Sequence, residues 1–336
     1  MSALQSIVFI DSPRGTLDRG WDPSGVLRVL NETGVPTSRV LVASASELNR
    51  EVQTGTGAIF WPLTYTFDGQ PTGRTIVAEL AALRAPFLTC NPDGAQLTSK
   101  LRFKHAVRSS RLSTPGWREL DMPADAEGWS RYPAFVKSEF SCGSAGVRIA
   151  YAGAEATKLA DELGRTFGHR IFLEAAITGQ EWSVACIVTE DFTMTAALSF
   201  TARSAEYIDA AAKADNSLIE FGLPSPDESQ TLGAFARSLV ARLGLSGYFR
   251  VDLLASDVGE LQVIDLNILP CLESHMARLS YVPMAFMRNT ACSYEDVLGA
   301  VIASADRGGR ALAEHSPLED LVQRSLLVRA RVASSA

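Results

Sequence analysis

Short apolar runs alternate with amphipathic stretches through the first hundred residues. IVFI (7–10), RVLVA (39–43) and AIFW (58–61) read as strands buried in a parallel sheet. Between them, residues 24–33 read as a helix with Ser24 as N-cap and Gly34 just past its end. Residues 75–83 place Ile76, Leu80 and Leu83 on one helical face. This alternation implies a doubly wound sheet with right-handed crossovers. The segment NPDG (91–94) breaks the pattern and marks a boundary.

From Ser99 the texture changes. Residues 99–112 form a basic helical stretch that ends at Ser113-Thr114-Pro115-Gly116. PAFVKS (133–138) and GVRIAYAG (146–153) read as strands joined by a loop rich in Gly and Ser, and IFLEAAI (171–177) and EWSVACIV (181–188) as a second strand pair around Thr178-Gly179. The stretch 203–226 is polar and turn-rich, the composition of a loop. A helix follows, with Asp227 as cap, Gln230 at N3 and a stripe of Leu232, Phe235, Leu239, Val240 and Leu243. GYFRVDLL (247–254) and LQVIDLNI (261–268) form a candidate hairpin. Beyond Gly308-Gly309 a last helix has Ser316, Pro317 and Glu319 at N-cap, N1 and N3; this tail reads as packing or an oligomer contact, which leaves a homodimer open.

Composition narrows the function classes. A chain of 336 residues with 46% hydrophobic and 21% charged residues has the make-up of a soluble globular protein of two or three domains. A net charge of -7 argues against nucleic acid or an anionic membrane as partner, since either demands a basic face. The five cysteines are widely spaced with no CxxC pair, so neither a zinc knuckle nor a disulfide framework is indicated. No apolar run is long enough to span a membrane, and the start lacks a charged leader, so a cytoplasmic protein is expected. GxxxxGK(S/T), GxGxxG after a strand, HExxH and GxSxG are all missing, which leaves little support for a P-loop enzyme, a Rossmann dehydrogenase, a zinc hydrolase or a serine hydrolase.

The candidate chemistry lies in the last strand pair. Side chains alternate along a strand, so Arg250 and Asp252 share one face of the first strand, and Asp265 and Asn267 one face of the second. Phe249, Val251, Leu253, Ile264 and Leu266 fall on the opposite, packed faces. Oxygen ligands without histidine or cysteine suit magnesium with phosphate oxygens. The plainer reading is a solvated face bearing an ion pair. Lys137 ends an apolar strand ahead of a loop with Gly143, Ser144 and Gly146, where open N–H groups and a compact cation suit phosphate, although hairpin loops often contain Gly and Ser. Glu174 and Glu181 flank a turn that would link two domains.

Taken in order, these pieces resemble the ATP-grasp superfamily, and within it the D-alanine–D-alanine ligase type, over most of residues 1–300. The lysine followed by threonine-proline is similar to Lys100 and Thr114-Pro115, and K-x(5)-G-S-x-G to Lys137 and CGSAG (142–146). E-x-x-(L/I)-x-G-x-E is similar to Glu174, Ile177, Gly179 and Glu181. R-x-D is similar to Arg250-Val251-Asp252, and E-(I/V)-N-x-x-P-G to Asp265–Pro270, with Cys271 where glycine is usual. The resemblance implies a three-part α/β fold. Residues 1–98 would be an N-terminal α/β domain, 99–180 a small α+β ATP clamp, 181–310 a catalytic domain with an antiparallel sheet, and 311–336 a helical tail.

The resemblance also implies roles. Lys100 and Lys137 would bind ATP phosphates under the loop of Gly143 and Ser144. The backbone around residues 175–177, with Ala175 and Ile177, would read adenine, Glu174 would belong to the same nucleotide-binding segment, and Glu181 would hold the ribose. Asp252, Asp265 and Asn267 would hold two Mg2+ ions, and Arg250 would stabilise the transferring phosphoryl group. Lys213 resembles a lid-loop lysine. The implied reaction joins a small-molecule carboxylate to an amine through an acyl phosphate and releases ADP and phosphate.

Departures from the pattern concentrate at the substrate end. Trp61-Pro62 stands where the family has histidine, and Asp18 where it has a glutamate for the first ammonium. Met276 replaces a serine for the second carboxylate, while Ser274 remains. These changes favour a specialised amino-acid or peptide ligase of natural-product assembly. An ordinary D-alanine–D-alanine ligase, an ATP-grasp kinase and a nucleotide-binding pseudoenzyme are the alternatives.

Overall fold

The computed structural model describes residues 2–13, 22–67, 75–141, 144–202, 219–273 and 280–335. Asp18, Gly143, Lys213, Ser274 and Met276 lie outside them. The described residues form three sheets. In the first, β1 (Ser6–Asp11) runs parallel to β2 (Thr37–Leu41) on one side and β3 (Ala58–Pro62) on the other. In chain order α1 (Ser24–Glu32) falls between β1 and β2 and α2 (Ala45–Thr54) between β2 and β3, the alternation expected of a doubly wound sheet; α3 (Ile76–Ala82) follows.

Three local expectations shift. The second strand starts two residues earlier than its apolar run and lies at the sheet edge with Leu41 exposed, because that edge meets water rather than a further strand. Ser24 is the first residue of α1, not its cap; Pro23 holds the cap position, and the Ser24 hydroxyl turns back to Asp22. Trp61 does not line a substrate opening. It is buried in β3, stacked on Phe9, and its Nε1–H donates to the Tyr248 hydroxyl at 2.9 Å.

After the short α4 (Pro92–Gln96), α5 (Lys100–Ser109) leads into a four-stranded antiparallel sheet. Its strands are β4 (Trp117–Leu120), β5 (Ala134–Ser138), β6 (Val147–Ala150) and β7 (Ile171–Ala175), in the order β4-β7-β5-β6, with α6 (Gly153–Phe167) packed on it. The third sheet holds β8 (Gly179–Val188), β9 (Thr193–Ala202), β10 (Ile219–Gly222), β11 (Gly247–Ser256) and β12 (Leu261–Asn267) in the order β10-β9-β8-β11-β12. IFLEAAI and EWSVACIV therefore do not pair with each other: β7 and β8 belong to different sheets, and the chain changes sheet at Thr178-Gly179. Gly179 has φ +153°, and a Cβ there would lie 2.1 Å from the Ala255 carbonyl oxygen, so only glycine fits the crossing.

The helix after β10, α7 (Pro226–Leu243), is capped by Ser225 with Glu228 at N3, not by Asp227 with Gln230. Pro226 explains the shift, since its fixed φ suits the first helical position and puts the cap one residue before it. Three further helices follow: α8 (Tyr281–Thr290), α9 (Tyr294–Ala303) and the predicted α10 (Pro317–Gln323) with its Ser316 cap. The chain ends in α11 (Ser325–Ser335).

The apolar cores show how these parts combine. The first and third sheets share two cores, one of which takes in Leu318, Leu321 and Val328 of the tail. The tail thus packs on its own chain, and Arg324 of the tail pairs with Asp296 of α9 at 3.1 Å. The four-stranded sheet and α6 instead enclose a separate core around Val136, Leu163 and Leu173. A lobe with its own core can move as a unit without opening the rest.

Candidate active site

The strand pair β11–β12 brings its four polar residues together as the alternation predicts. Arg250 is the register partner of Asn267, and Asp252 of Asp265. The register slips between Asp252 and Leu253, so Ile264 is the extra residue of a bulge, and Val263 takes the buried place expected for Ile264. A bulge beside a site re-aims the strand end that carries its side chains.

Arg250 grips Asp252 with two hydrogen bonds, Nε to Oδ1 at 2.9 Å and the terminal nitrogen to Oδ2 at 2.8 Å. Ser183 on neighbouring β8 donates to the same Oδ1 at 2.8 Å. The guanidinium lies 4.9 Å from the centre of the Tyr281 ring, which itself packs on Phe200. Burial works to discharge Arg250, but Asp252 holds its pKa above the usual arginine value. Burial also raises the Tyr281 phenol, so its ring meets the guanidinium as a neutral face.

Among the described residues no cluster of three or more His, Cys, Asp or Glu side chains could hold a metal. What Asp252, Asp265 and Asn267 offer is two carboxylates and an amide on one face of a hairpin. The Asp265 Oδ1 and Asn267 Oδ1 atoms each accept a backbone N–H at 3.0 Å, from Leu266 and Leu269. An all-oxygen set this small fits Mg2+, which completes its shell with water and phosphate oxygens, and does not fit zinc.

The basic side chains come from α5 and β5. The Ser99 hydroxyl accepts the Arg102 N–H at 3.1 Å, which fixes Lys100 at the start of α5. Lys100 Nζ donates to the Ser141 carbonyl at 2.6 Å, at the base of the 142–146 loop, and Ser144 in that loop has φ +62°. Glu139, beside this loop, accepts from Arg170 Nε at 2.9 Å and from one of its terminal nitrogens at 2.8 Å.

Lys137 pairs with Glu174. The Glu174 side chain is 2% exposed and lies between Lys137 and Lys104. Burial acts to raise the Glu174 carboxyl, yet the two ammoniums hold it below the usual carboxylate range. Downstream, the Ala175 N–H donates to Gly116 O at 2.8 Å and the Ala176 N–H to Pro133 O at 3.0 Å, so both amides are committed to the sheet. Ile177 and Glu181 stand on either side of the Gly179 crossing, half-buried. Cys271 is also half-buried, beyond the end of β12.

Sequence reasoning passed over Lys104, Ser183 and Tyr281. The signal for Lys104 was its spacing of four from Lys100 in the basic helix, which puts both on one face. Ser183 and Tyr281 had no local signal. Ser183 reaches Asp252 through the pairing of β8 with β11, and Tyr281 reaches Arg250 from α8, which packs on β8 and β9.

A family model described as the D-ala D-ala ligase C-terminus matches residues 107–303. D-alanine--D-alanine ligase B of Chromobacterium violaceum is 27% identical over 294 residues, which cover 85% of this chain and 92% of that protein. The D-alanine--D-alanine ligase of Methylococcus capsulatus is 31% identical over 216 residues, covering 61% and 66%. Among solved structures, that of D-alanine--D-alanine ligase from Bacillus anthracis complexed with ATP superposes with a TM-score of 0.66 at 20% identity, covering 96% of this chain and all of that one. A D-Ala:D-Ser ligase from Enterococcus faecalis superposes with a TM-score of 0.67 at 18% identity, covering 89% and 98%.

Proposed function

The chain belongs to the D-ala D-ala ligase C-terminus family, the ADP-forming carbon–nitrogen ligases of ATP-grasp fold, and we propose that it joins two D-alanine molecules at the expense of ATP. The observation that carries the reading is the register of β11 against β12, which sets Arg250, Asp252, Asp265 and Asn267 on one face. The expectation of a specialised ligase for natural-product assembly gives way to this ordinary one. Two residues behind it, Asp18 and Met276, lie outside the described residues, and Trp61 belongs to the core. The relatives matched along most of the chain carry the ordinary activity in their names.

A carboxylate is a poor electrophile at neutral pH. In the proposed reaction the carboxylate oxygen of the first amino acid attacks the γ-phosphorus of ATP, the bond to the β-phosphate oxygen breaks, and ADP leaves with that electron pair. The amine of the second amino acid then attacks the acyl carbon of the acyl phosphate, loses a proton, and expels phosphate as the amide forms.

Asp252, Asp265 and Asn267 would hold two Mg2+ ions, which neutralise phosphate charge when bound. Arg250, set between Asp252 and the Tyr281 ring, would stabilise charge on the transferring phosphoryl group. Lys100 and Lys137 would hold phosphate oxygens under the loop of Gly143 and Ser144, and Glu181 the ribose. Adenine would be read by the carbonyls of Ala175 and Ala176 and by Ile177. Lys213 would serve in the lid, while Asp18, Cys271, Ser274 and Met276 would line the amino-acid pocket. In functional terms, residues 1–98, 99–180 and 181–310 would act as substrate, clamp and catalytic parts. The clamp's separate core supports closure over the nucleotide, which keeps water from the acyl phosphate.

The test is ADP release with D-alanine, ATP and magnesium, with hydroxylamine added to trap the acyl phosphate as a hydroxamate. The expected products are ADP, phosphate and dipeptide. AMP with pyrophosphate would point to adenylation, and phosphate retained on the organic product would point to a kinase.

A further inference from the structure

Lys104 is a lysine with almost no access to water. It sits on α5, its side chain is 1% exposed, and its ammonium meets the Glu174 carboxylate while donating to Thr114 Oγ1 at 2.6 Å. Such burial is rare for lysine unless a partner is present. Glu174 divides its two oxygens, Oε2 toward Lys104 and Oε1 toward Lys137. Of the two lysines Lys137 is the more open, at 14%. Lys104 therefore faces the interior and Lys137 the more open side of the cluster.

Charge balance makes the arrangement informative. Two ammoniums share the Glu174 carboxylate, so these three groups by themselves keep a formal excess of one positive charge, with the Asp265 carboxylate also acting on Lys104. Without Lys104, Glu174 would cancel Lys137 one for one. Without Glu174, nothing in the cluster would fix the Lys137 ammonium. We propose that Lys104 is a positioning residue: it neutralises Glu174 from the buried side, so that Glu174 fixes Lys137 without cancelling its charge toward the nucleotide phosphates. This rests on the ATP-dependent reading for the identity of the ligand.

The experiment measures ADP dissociation constants with magnesium, by calorimetry, for the intact protein, Lys104→Met, Glu174→Gln and the double variant, with a thermal melt for each. Lys104→Met should weaken ADP about tenfold, and Glu174→Gln added to it should recover most of that loss, because both members of the cancelling pair are gone. In the Glu174→Gln background, Lys104→Met should change affinity less than twofold, a comparison that needs no folded single Lys104 variant. A structural role for Lys104 alone would make the losses add. Additive losses, or unchanged ADP affinity in folded Lys104→Met, overturn the inference. Failure of the intact protein to bind ADP would instead overturn the ATP-dependent reading.

Discussion

Arg250 and Asp252, two residues apart on one strand, are joined by paired hydrogen bonds of 2.9 and 2.8 Å. Alternation puts both side chains on the same face, and the planar guanidinium matches the carboxylate oxygen for oxygen. The arginine is thereby aimed by its own strand neighbour, and any cation bound by Asp252 lands beside it. Arg250→Lys keeps the charge but loses the fork. Turnover should fall about a hundredfold with the melting temperature little changed. Initial rates of ADP release check this, and a near-normal rate would remove Arg250 from the chemistry.

Asp265 lies on the edge strand β12, half-buried, where its Oδ1 accepts the N–H of Leu266. Asp265→Ala should cost about 1 kcal/mol of stability or less and abolish ADP formation even at saturating magnesium. Denaturant unfolding alongside the activity assay separates the two effects. Substantial turnover would mean that the metal rests elsewhere.

Gly179 carries the chain from one sheet to the other at φ +153°, pressed against the Ala255 carbonyl. Gly179→Ala should destabilise the protein by about 3 kcal/mol, since the new methyl has to move backbone on β11. Urea unfolding measures it. A loss below about 1 kcal/mol would show that the crossing is not held as tightly as this contact requires.

Acid should weaken the fold through Glu139 and Glu174. Burial acts to raise each carboxyl, but Arg170 and Ser99 hold Glu139, and Lys104 and Lys137 hold Glu174, below the ordinary carboxylate value. A carboxylate depressed in the folded state adds stability that is complete above its unfolded pKa, about 4.3, and is lost as pH falls through the folded value. Stability should thus be flat in these two groups from pH 7 to about 5 and decline below that range. Glu139→Gln should cost about 1–3 kcal/mol at neutral pH and flatten the acid decline. Unfolding free energies from pH 7 to 3 test this, and an equally steep decline in the variant would assign it to other groups.

By itself the sequence determined what near neighbours decide. Alternation in Arg250-Val251-Asp252 and Asp265-Leu266-Asn267 already put the polar groups on single faces, and β12 followed β11 closely enough to pair with it. The Ser316 cap and the alternation of the first hundred residues were legible for the same reason: each is set within a few residues of chain. Tertiary structure alone decided the rest. That IFLEAAI and EWSVACIV enter different sheets depends on which distant strands cover them, and neither run's own pattern differs between the two outcomes. The bulge at Ile264 is seen only once the strands are paired, as a register slip between Asp252 and Leu253. In the sequence Lys104 is one more cation of the basic helical stretch 99–112. It became the buried partner of Glu174, seventy residues away, only because α5 packs with its lysine face inward, where a lone charge of either sign is too costly to leave unpaired.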